Sequence, residues 1–424
     1  MRGSRRGALD LLLSLLPQGL SAAAGLAATL ILARGLGPEG LGRYALVISV
    51  SSVVSTFTDL GIGPTAVRFA SRALGASDEA GADRVFRWAL RTRLVLALAA
   101  AAAAFAAAPL VAGAAWRDPS MTGLVRLGLS WSVLLPVATF PAVVLQARRR
   151  FGWNAIAASV PAVATFAAAV LAAAVGWWSV EAILALSAVA LALAIVLLLP
   201  LVPWGRILRA TAGHVEGLGS FASHNLVASI VNAVTARADV WLMGAFLPTA
   251  TIGVYSAAMR FTMPLVMVQA AVATVLWPRA ATAGSVDETL RLLRKTFRWS
   301  FGLAAGSAAY AIVVPLAAPW IFGPAYESAV GLGQVLSLRY ALASLFCPIA
   351  IVGYNLGLIR QYVAMNVAQL VVVVAVTLAL LPSLGAWAPA IALLCGETVG
   401  LALTSAIIAR RLRQERAATA APQG

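Results

Sequence analysis

The sequence predicts an all-α polytopic membrane protein with twelve transmembrane helices, arranged as two parallel-repeat six-helix lobes. Three observations carry that prediction. First, 61% of the 424 residues are hydrophobic and 11% are charged, with a mean hydropathy of +0.91. A soluble exterior cannot be solvated with so little charge. Second, apolar runs of roughly 20 residues recur, the length of helix that crosses a bilayer core. Third, basic residues gather in every second gap between those runs.

The runs lie near 11–34, 42–67, 90–113, 119–146, 153–177, 180–203, 218–246, 251–278, 298–321, 326–356, 361–382 and 387–409. Arg2, Arg5 and Arg6 ahead of the first run have the look of a signal peptide. The run exceeds a signal h-region of about 7–15 residues and further spans follow, so it reads as the first span. Even-side gaps hold Arg68, Arg72, Arg84, Arg87, Arg91, Arg93, Arg148–Arg150, Arg206, Arg209, Arg279, Arg291, Arg294, Lys295, Arg298, Arg360 and the Arg410–Arg416 group. The odd side has only Arg34, Arg43 and Arg117. The positive-inside rule then puts both termini in the cytoplasm, which requires an even number of spans. The expected location is a bacterial cytoplasmic (inner) membrane.

The two longest cytoplasmic loops, about 70–90 and 279–297, mix Asp78, Glu79, Asp83, Asp287 and Glu288 with arginines. They are expected to form short amphipathic helices at the interface. Because the net charge of +16 is confined to short loops, topology accounts for it and no nucleic-acid partner is expected. Cys347 and Cys395 lie in apolar segments without metal or disulfide spacing.

The two halves are similar at an offset of about 211 residues. Phe86-Arg87-Trp88 returns as Phe297-Arg298-Trp299, Arg68 as Arg279, and Gly42-Arg43-Tyr44 as Gly253-Val254-Tyr255. Leu145-Gln146-Ala147 resembles Tyr354-Asn355-Leu356 at an offset of 209. Six spans per repeat keep the halves in the same orientation, which predicts lobes over 1–210 and 211–424 with a substrate path where they meet.

The stretch from Leu32-Ala33-Arg34-Gly35 through Gly42-Arg43-Tyr44 resembles the signature of bacterial polysaccharide (O-antigen type) flippases. Asp59-Leu60-Gly61-Ile62-Gly63 with Arg68 is similar to that family's second-span ending. Arg237-Ala238-Asp239 to Gly244, then Ile252-Gly253-Val254-Tyr255 and Ala258-Met259-Arg260, resemble its seventh and eighth spans. The resemblance places the chain in the multidrug/oligosaccharidyl-lipid/polysaccharide exporter superfamily. It implies a V-shaped fold with a central cavity, and export of a polyprenyl-diphosphate-linked oligosaccharide by alternating access for cell-surface polysaccharide biosynthesis. It also implies membrane lipids and a polysaccharide polymerase as partners of a monomeric transporter.

Charges inside spans carry the chemistry, since each costs at least ~2.5–3.5 kcal/mol at the bilayer centre. Arg260 and Arg339 lie deep in the eighth and tenth spans, Arg237 in the outer third of the seventh, and Arg34 and Arg126 nearer the outer face. Guanidinium forks remain protonated and hold phosphate oxygens bidentately, which suits a diphosphate. Asn225, Ser229, Asn232, Gln269, Asn355, Asn366 and Gln369 are candidate sugar contacts. Plainer roles stay open: Arg34 and Arg126 can snorkel to an interface, Arg237 can pair with Asp239, and Arg339 or Arg260 can pair with Glu397.

Glu397, Asp239 and Asp59 are the candidate ion-coupling acids. Asp59 is also placed to cap a helix broken at Gly61–Pro64, and His224 is a weaker coupling candidate. Prolines Pro136, Pro141, Pro264 and Pro348 are expected to interrupt the fourth, eighth and tenth spans. No phosphate-binding loop, HExxH or nucleophile elbow occurs, so neither an enzyme, a metal nor a cofactor is expected. The competing reading on the same fold is a drug/cation antiporter, which calls for acids rather than arginines in the spans. A membrane-embedded glycosyltransferase or polymerase would need larger outer loops.

Overall fold

The structure, a computed structural model, describes residues 2–59, 61–211, 235, 237–281, 286–355 and 359–420. Among them every regular element is helical. Among the described residues nine helices are long and apolar enough to cross a membrane, which makes the chain a multi-pass membrane protein. The first of these, Gly19–Gly75, carries the first two expected spans. A tenth apolar helix, Ala329–Leu345, is shorter. The expected seventh span falls largely on 212–234, outside the described residues.

Contacts divide the chain into two compact units, Met1–Gly253 and Val254–Gly424. The repeat places its boundary at 210/211, but the visible end of the seventh span packs with the first unit, which carries the structural boundary past it.

In the first unit, α1 (Arg2–Asp59) bends once, at Gly37, with φ 66° and ψ −178°. Only glycine takes that backbone without strain. Pro38 then restarts the helix, its missing N–H falling where no donor is needed. The seven-residue connection expected between the first two spans is thus a single kinked residue. Gly61, at φ 78°, separates α1 from α2 (Ile62–Gly75). The Gly63 N–H donates to Asp59 Oδ1 at 3.0 Å across that break, as the capping role predicts.

α3 runs from Glu79 to Pro109 and continues as a π-helical turn, Leu110–Ala115. The loop near 70–90 is therefore not a separate interfacial helix. After a turn at Ala76–Asp78, residues from Glu79 onward are the first turns of the third span, with Asp78 accepting from Gly81 N–H at 2.7 Å. The same correction applies to the second unit, where one helix runs unbroken from Val286 to Val313. At this end of the first unit Glu79 accepts from Arg148 and Arg206, both at 2.9 Å, and buried Asp83 from Arg206 at 3.0 Å. Those bonds, Glu79's foremost, hold the Arg206 guanidinium above even its ordinary high pKa.

α4 (Met121–Ala147) passes through both Pro136 and Pro141, which do not interrupt it. Membrane helices tolerate proline where neighbours re-satisfy the backbone. α5 (Phe151–Val175), α6 (Val180–Leu198) and the short α7 (Trp204–Arg209) complete the first six-span set. α1 and α4 approach closely over Gly128, where an added Cβ would sit 2.3 Å from Val47. Ser51 Oγ donates to the Gly128 carbonyl at 3.0 Å, and Ser132 Oγ to the Ser51 carbonyl at 2.9 Å. Small residues and interhelical hydroxyl bonds are what hold helices together where lipid tails offer no hydrophobic drive.

α8 (Ala238–Phe246) and α9 (Thr249–Arg260) follow. A Cβ on Gly42 would lie 1.8 Å from the Thr249 carbonyl oxygen, and a Cβ on Gly253 1.8 Å from that of Pro38. Pro38 and Thr249, like Gly42 and Gly253, are 211 residues apart. The repeat read from sequence thus reappears as a reciprocal backbone contact.

The second unit contains α10 (Met263–Ala281), α11 (Val286–Val313), α12 (Ala318–Phe322), α13 (Ala329–Asn355), α14 (Ile359–Leu384) and α15 (Trp387–Ala420). The eighth span breaks between α9 and α10, just before Pro264 as expected, whereas α13 runs unbroken through Pro348. Tyr310 donates to the Phe261 carbonyl at this break, at 2.9 Å. Tyr310→Phe strands that carbonyl and is expected to cost about 1–3 kcal/mol. Thermal unfolding of detergent-purified protein checks this, and an unchanged midpoint counts against it.

Candidate functional site: charged groups within the spans

Small residues create the main polar cluster of the second unit. Gly396 and Gly400 on α15 lie one helical turn apart, and Gln369 of α14 fits against both. That approach brings the Gln369 amide to Glu397, to which Nε2 donates at 3.3 Å. Arg339 of α13 is the electrostatic partner of Glu397. Its Nη2 donates to the Tyr340 hydroxyl at 3.0 Å, and the guanidinium carbon lies 4.8 Å from that ring's centroid. Gln269 of α10 donates from Nε2 to the Tyr340 carbonyl at 3.0 Å and to Ser344 Oγ at 3.4 Å. Four residues singled out from sequence, Arg339, Glu397, Gln269 and Gln369, therefore belong to one network, with Tyr340 as a connector. Arg260 closes α9 at the break.

The first unit holds the other candidates, and it separates them. Arg34 is exposed on α1, three residues before the kink. Arg126 is exposed on α4, its guanidinium 4.4 Å from the centroid of the half-exposed Phe105 ring. That stacking matches the snorkelling alternative better than a phosphate cradle. Arg237, at the start of α8, donates from Nη2 to Ser52 Oγ at 3.3 Å, and Trp241 donates to Ser49 Oγ at 2.8 Å. Asp239 is buried, with Oδ1 accepting from the Val240 N–H at 2.8 Å. Asn225, Ser229, Asn232 and His224 lie outside the described residues, as does the Asn355 side chain at the end of α13.

Sequence reading missed Arg93, which it counted among the loop arginines. Its side chain is 7% exposed, and Nε lies 3.3 Å from Asp59 Oδ1. Nη2 donates to Thr139 Oγ1 at 2.9 Å. The signal was present: Arg93 falls on the helical face shared with the buried Phe86, Ala89, Leu90 and Ala97. Asp59→Ala removes both the cap and this partner, and is expected to cost roughly 1–3 kcal/mol. Asp59→Asn keeps an acceptor for Gly63 and is expected to recover part of the loss. Chemical unfolding in detergent compares the two, and equal stability of wild type and Asp59→Ala contradicts the assignment.

Among the described residues no group of His, Cys, Asp and Glu could hold a metal ion. A family model described as "Polysaccharide biosynthesis protein" matches residues 31–298. Among curated proteins none matches significantly. Solved structures do match. One is an inward-facing multidrug resistance transporter of the MATE family in the MOP superfamily. It is 14% identical at a TM-score of 0.74, with 96% of this chain and 100% of that one covered. An outward-facing multidrug resistance MATE family transporter is 15% identical at 0.65, covering 96% of each chain. A Pyrococcus furiosus MOP superfamily transporter, described by a binding pocket of reverse polarity suggesting a different function, is 14% identical at 0.68, covering 95% of each. At these identities the likeness establishes a shared fold.

Proposed function

The chain belongs to the polysaccharide biosynthesis protein family, and we propose that it is a flippase. It carries polyprenyl-diphosphate-linked oligosaccharide from the cytoplasmic to the outer leaflet by alternating access, in a bacterial cytoplasmic membrane with both termini inside. The observation that carries this reading is the company kept by Asp59 and Glu397. Asp59 pairs with Arg93, and Glu397 interacts electrostatically with Arg339. A site for a cationic drug needs carboxylates whose charge is left for the ligand. Here each of these two is matched by a guanidinium, and Arg237 and Arg260 add positive charge on α8 and α9.

An anion is the complementary cargo, and a diphosphate linking lipid to sugar supplies one. Translocation requires no bond to be made or broken, so the reading assigns no catalytic residue. The role of Glu397 in this scheme is to set how strongly Arg339 is held. While the pair is intact Arg339 is partly neutralised, and protonation of Glu397 releases its full charge to the substrate. This makes Glu397 the coupling acid, with Gln369 positioning its carboxylate.

Loss of the gene in its host is expected to remove surface polysaccharide and to accumulate lipid-linked repeat units facing the cytoplasm. Retention of surface polymer, with new sensitivity to cationic dyes instead, would favour the antiporter reading.

A further inference from the structure

The first unit contains a cavity of about 760 Å³ lined by the ends of α1 to α5, including Asp59, Arg68, Arg93, Thr139, Gln146 and Asn154. We infer that this cavity is a binding site for a phosphate-type oxyanion, with the Arg93 guanidinium as its fork.

Three features point there. Arg93 is more than nine-tenths buried, yet its Nη1 has no hydrogen-bond acceptor among the described residues. Buried polar groups are nearly always satisfied, so an unsatisfied guanidinium nitrogen on an arginine that lines the cavity marks a missing acceptor. Asp59 does not fill that role. It approaches on the Nε side at 3.3 Å, and its Oδ1 is already engaged by the Gly63 N–H. Thr139 takes Nη2, which leaves the Nη1 edge for a ligand.

Charge and chemistry agree with this. The lining carries two arginines, Arg68 and Arg93, and one acid, Asp59. The amides of Gln146 and Asn154 supply neutral donors beside it. The repeat argues that the arrangement is not a requirement of the fold. At the 211-residue offset Asp59 corresponds to Ala270 and Arg93 to Ala304, so the second half is built without the pair. Burying an arginine in one half only, against an acid that stays partly exposed, is costly unless the group serves a ligand.

This inference does not depend on the flippase reading, because the anion alone is the probe. Binding of labelled inorganic pyrophosphate to detergent-purified protein is compared among wild type, Arg93→Gln, Arg93→Lys and Arg68→Gln. A parallel arm uses nanodiscs carrying polyprenyl diphosphate or plain polyprenol. Arg93→Gln is expected to weaken pyrophosphate binding at least ten-fold. Arg93→Lys, which keeps charge without the fork, should fall between, and Arg68→Gln should weaken binding about three-fold or more. Polyprenyl diphosphate bound more tightly than pyrophosphate, with the same dependence on Arg93, identifies a lipid headgroup as the natural ligand. Equal affinities identify a free phosphate. Should Arg93→Gln fail to fold, Arg93→Lys and Arg68→Gln decide. Absence of anion binding by wild type, or binding unaffected by these substitutions, overturns the inference.

Discussion

Gly253→Leu is expected to leave little folded protein in the membrane. Even the first carbon of a side chain at this position would lie 1.8 Å from the Pro38 carbonyl oxygen. Overpacking a well-filled interior costs about 1–3 kcal/mol when neighbouring side chains can yield. Here the obstacle is backbone, and no rotamer change relieves it. The cost should therefore reach or exceed the top of that range. Gly42→Leu meets the Thr249 carbonyl in the same way, and should match it in size.

Gly123→Ala on α4, where an added Cβ meets nothing within 4 Å, is the control and should be tolerated. The measurements are the yield of monodisperse protein after solubilisation and its unfolding midpoint. Gly253→Leu protein with wild-type yield and midpoint would show that the crossing seen here does not form.

The second large effect concerns Arg339 and Glu397. Arg339 and Glu397 interact electrostatically, and removing one leaves the other less compensated; for a fully buried ion pair that costs about 3–5 kcal/mol. Both residues keep some exposure, so the low end of that range is expected for Arg339→Gln or Glu397→Gln alone. The double variant removes both charges and should lose less than the sum of the singles. The expected interaction energy is on the order of 1–3 kcal/mol. Additive losses would mean that the two groups do not sense each other. Transport is expected to fall in all three variants: the two that lack Arg339 lose the guanidinium, and Glu397→Gln loses the coupling acid.

Several parts of this architecture were readable in advance because their causes are local. Apolar runs set the spans, and the nine crossing helices among the described residues coincide with them, the first covering two runs. The offset of 211 residues led from Gly42 to Gly253, and the structure shows why glycine recurs: each faces the other's backbone. The Asp59 cap was legible because Gly61-Ile62-Gly63-Pro64 announces a break that needs an acceptor.

Failures arose where tertiary packing decides. The charged segment after Asp78 looked like a surface helix, but Asp83 is buried against Arg148 and Arg206, arginines 65 and more residues away in sequence. Arg93 was assigned to a loop by its neighbours Arg84, Arg87 and Arg91. Its partner Asp59 comes from another helix, and spacing along the chain says nothing of that. Arg126 stands nearer the outer face with two roles open, phosphate contact or snorkelling, and only the tertiary contact with Phe105 on an exposed face favours the second. Pro136 and Pro141 were expected to break α4, yet packing on all sides keeps it helical.

The central claim is that guanidinium groups within the spans carry an anionic lipid head. Its most direct test is a leaflet-specific assay in proteoliposomes. A fluorescent polyprenyl-diphosphate oligosaccharide is loaded into the inner leaflet, and its arrival outside is followed by quenching. Wild-type protein is expected to translocate it, with the rate falling at least ten-fold in Arg339→Ala and Arg260→Ala proteins that reconstitute normally. Rates in both variants equal to wild type, or translocation of a cationic dye in place of the lipid-linked sugar, would contradict the account.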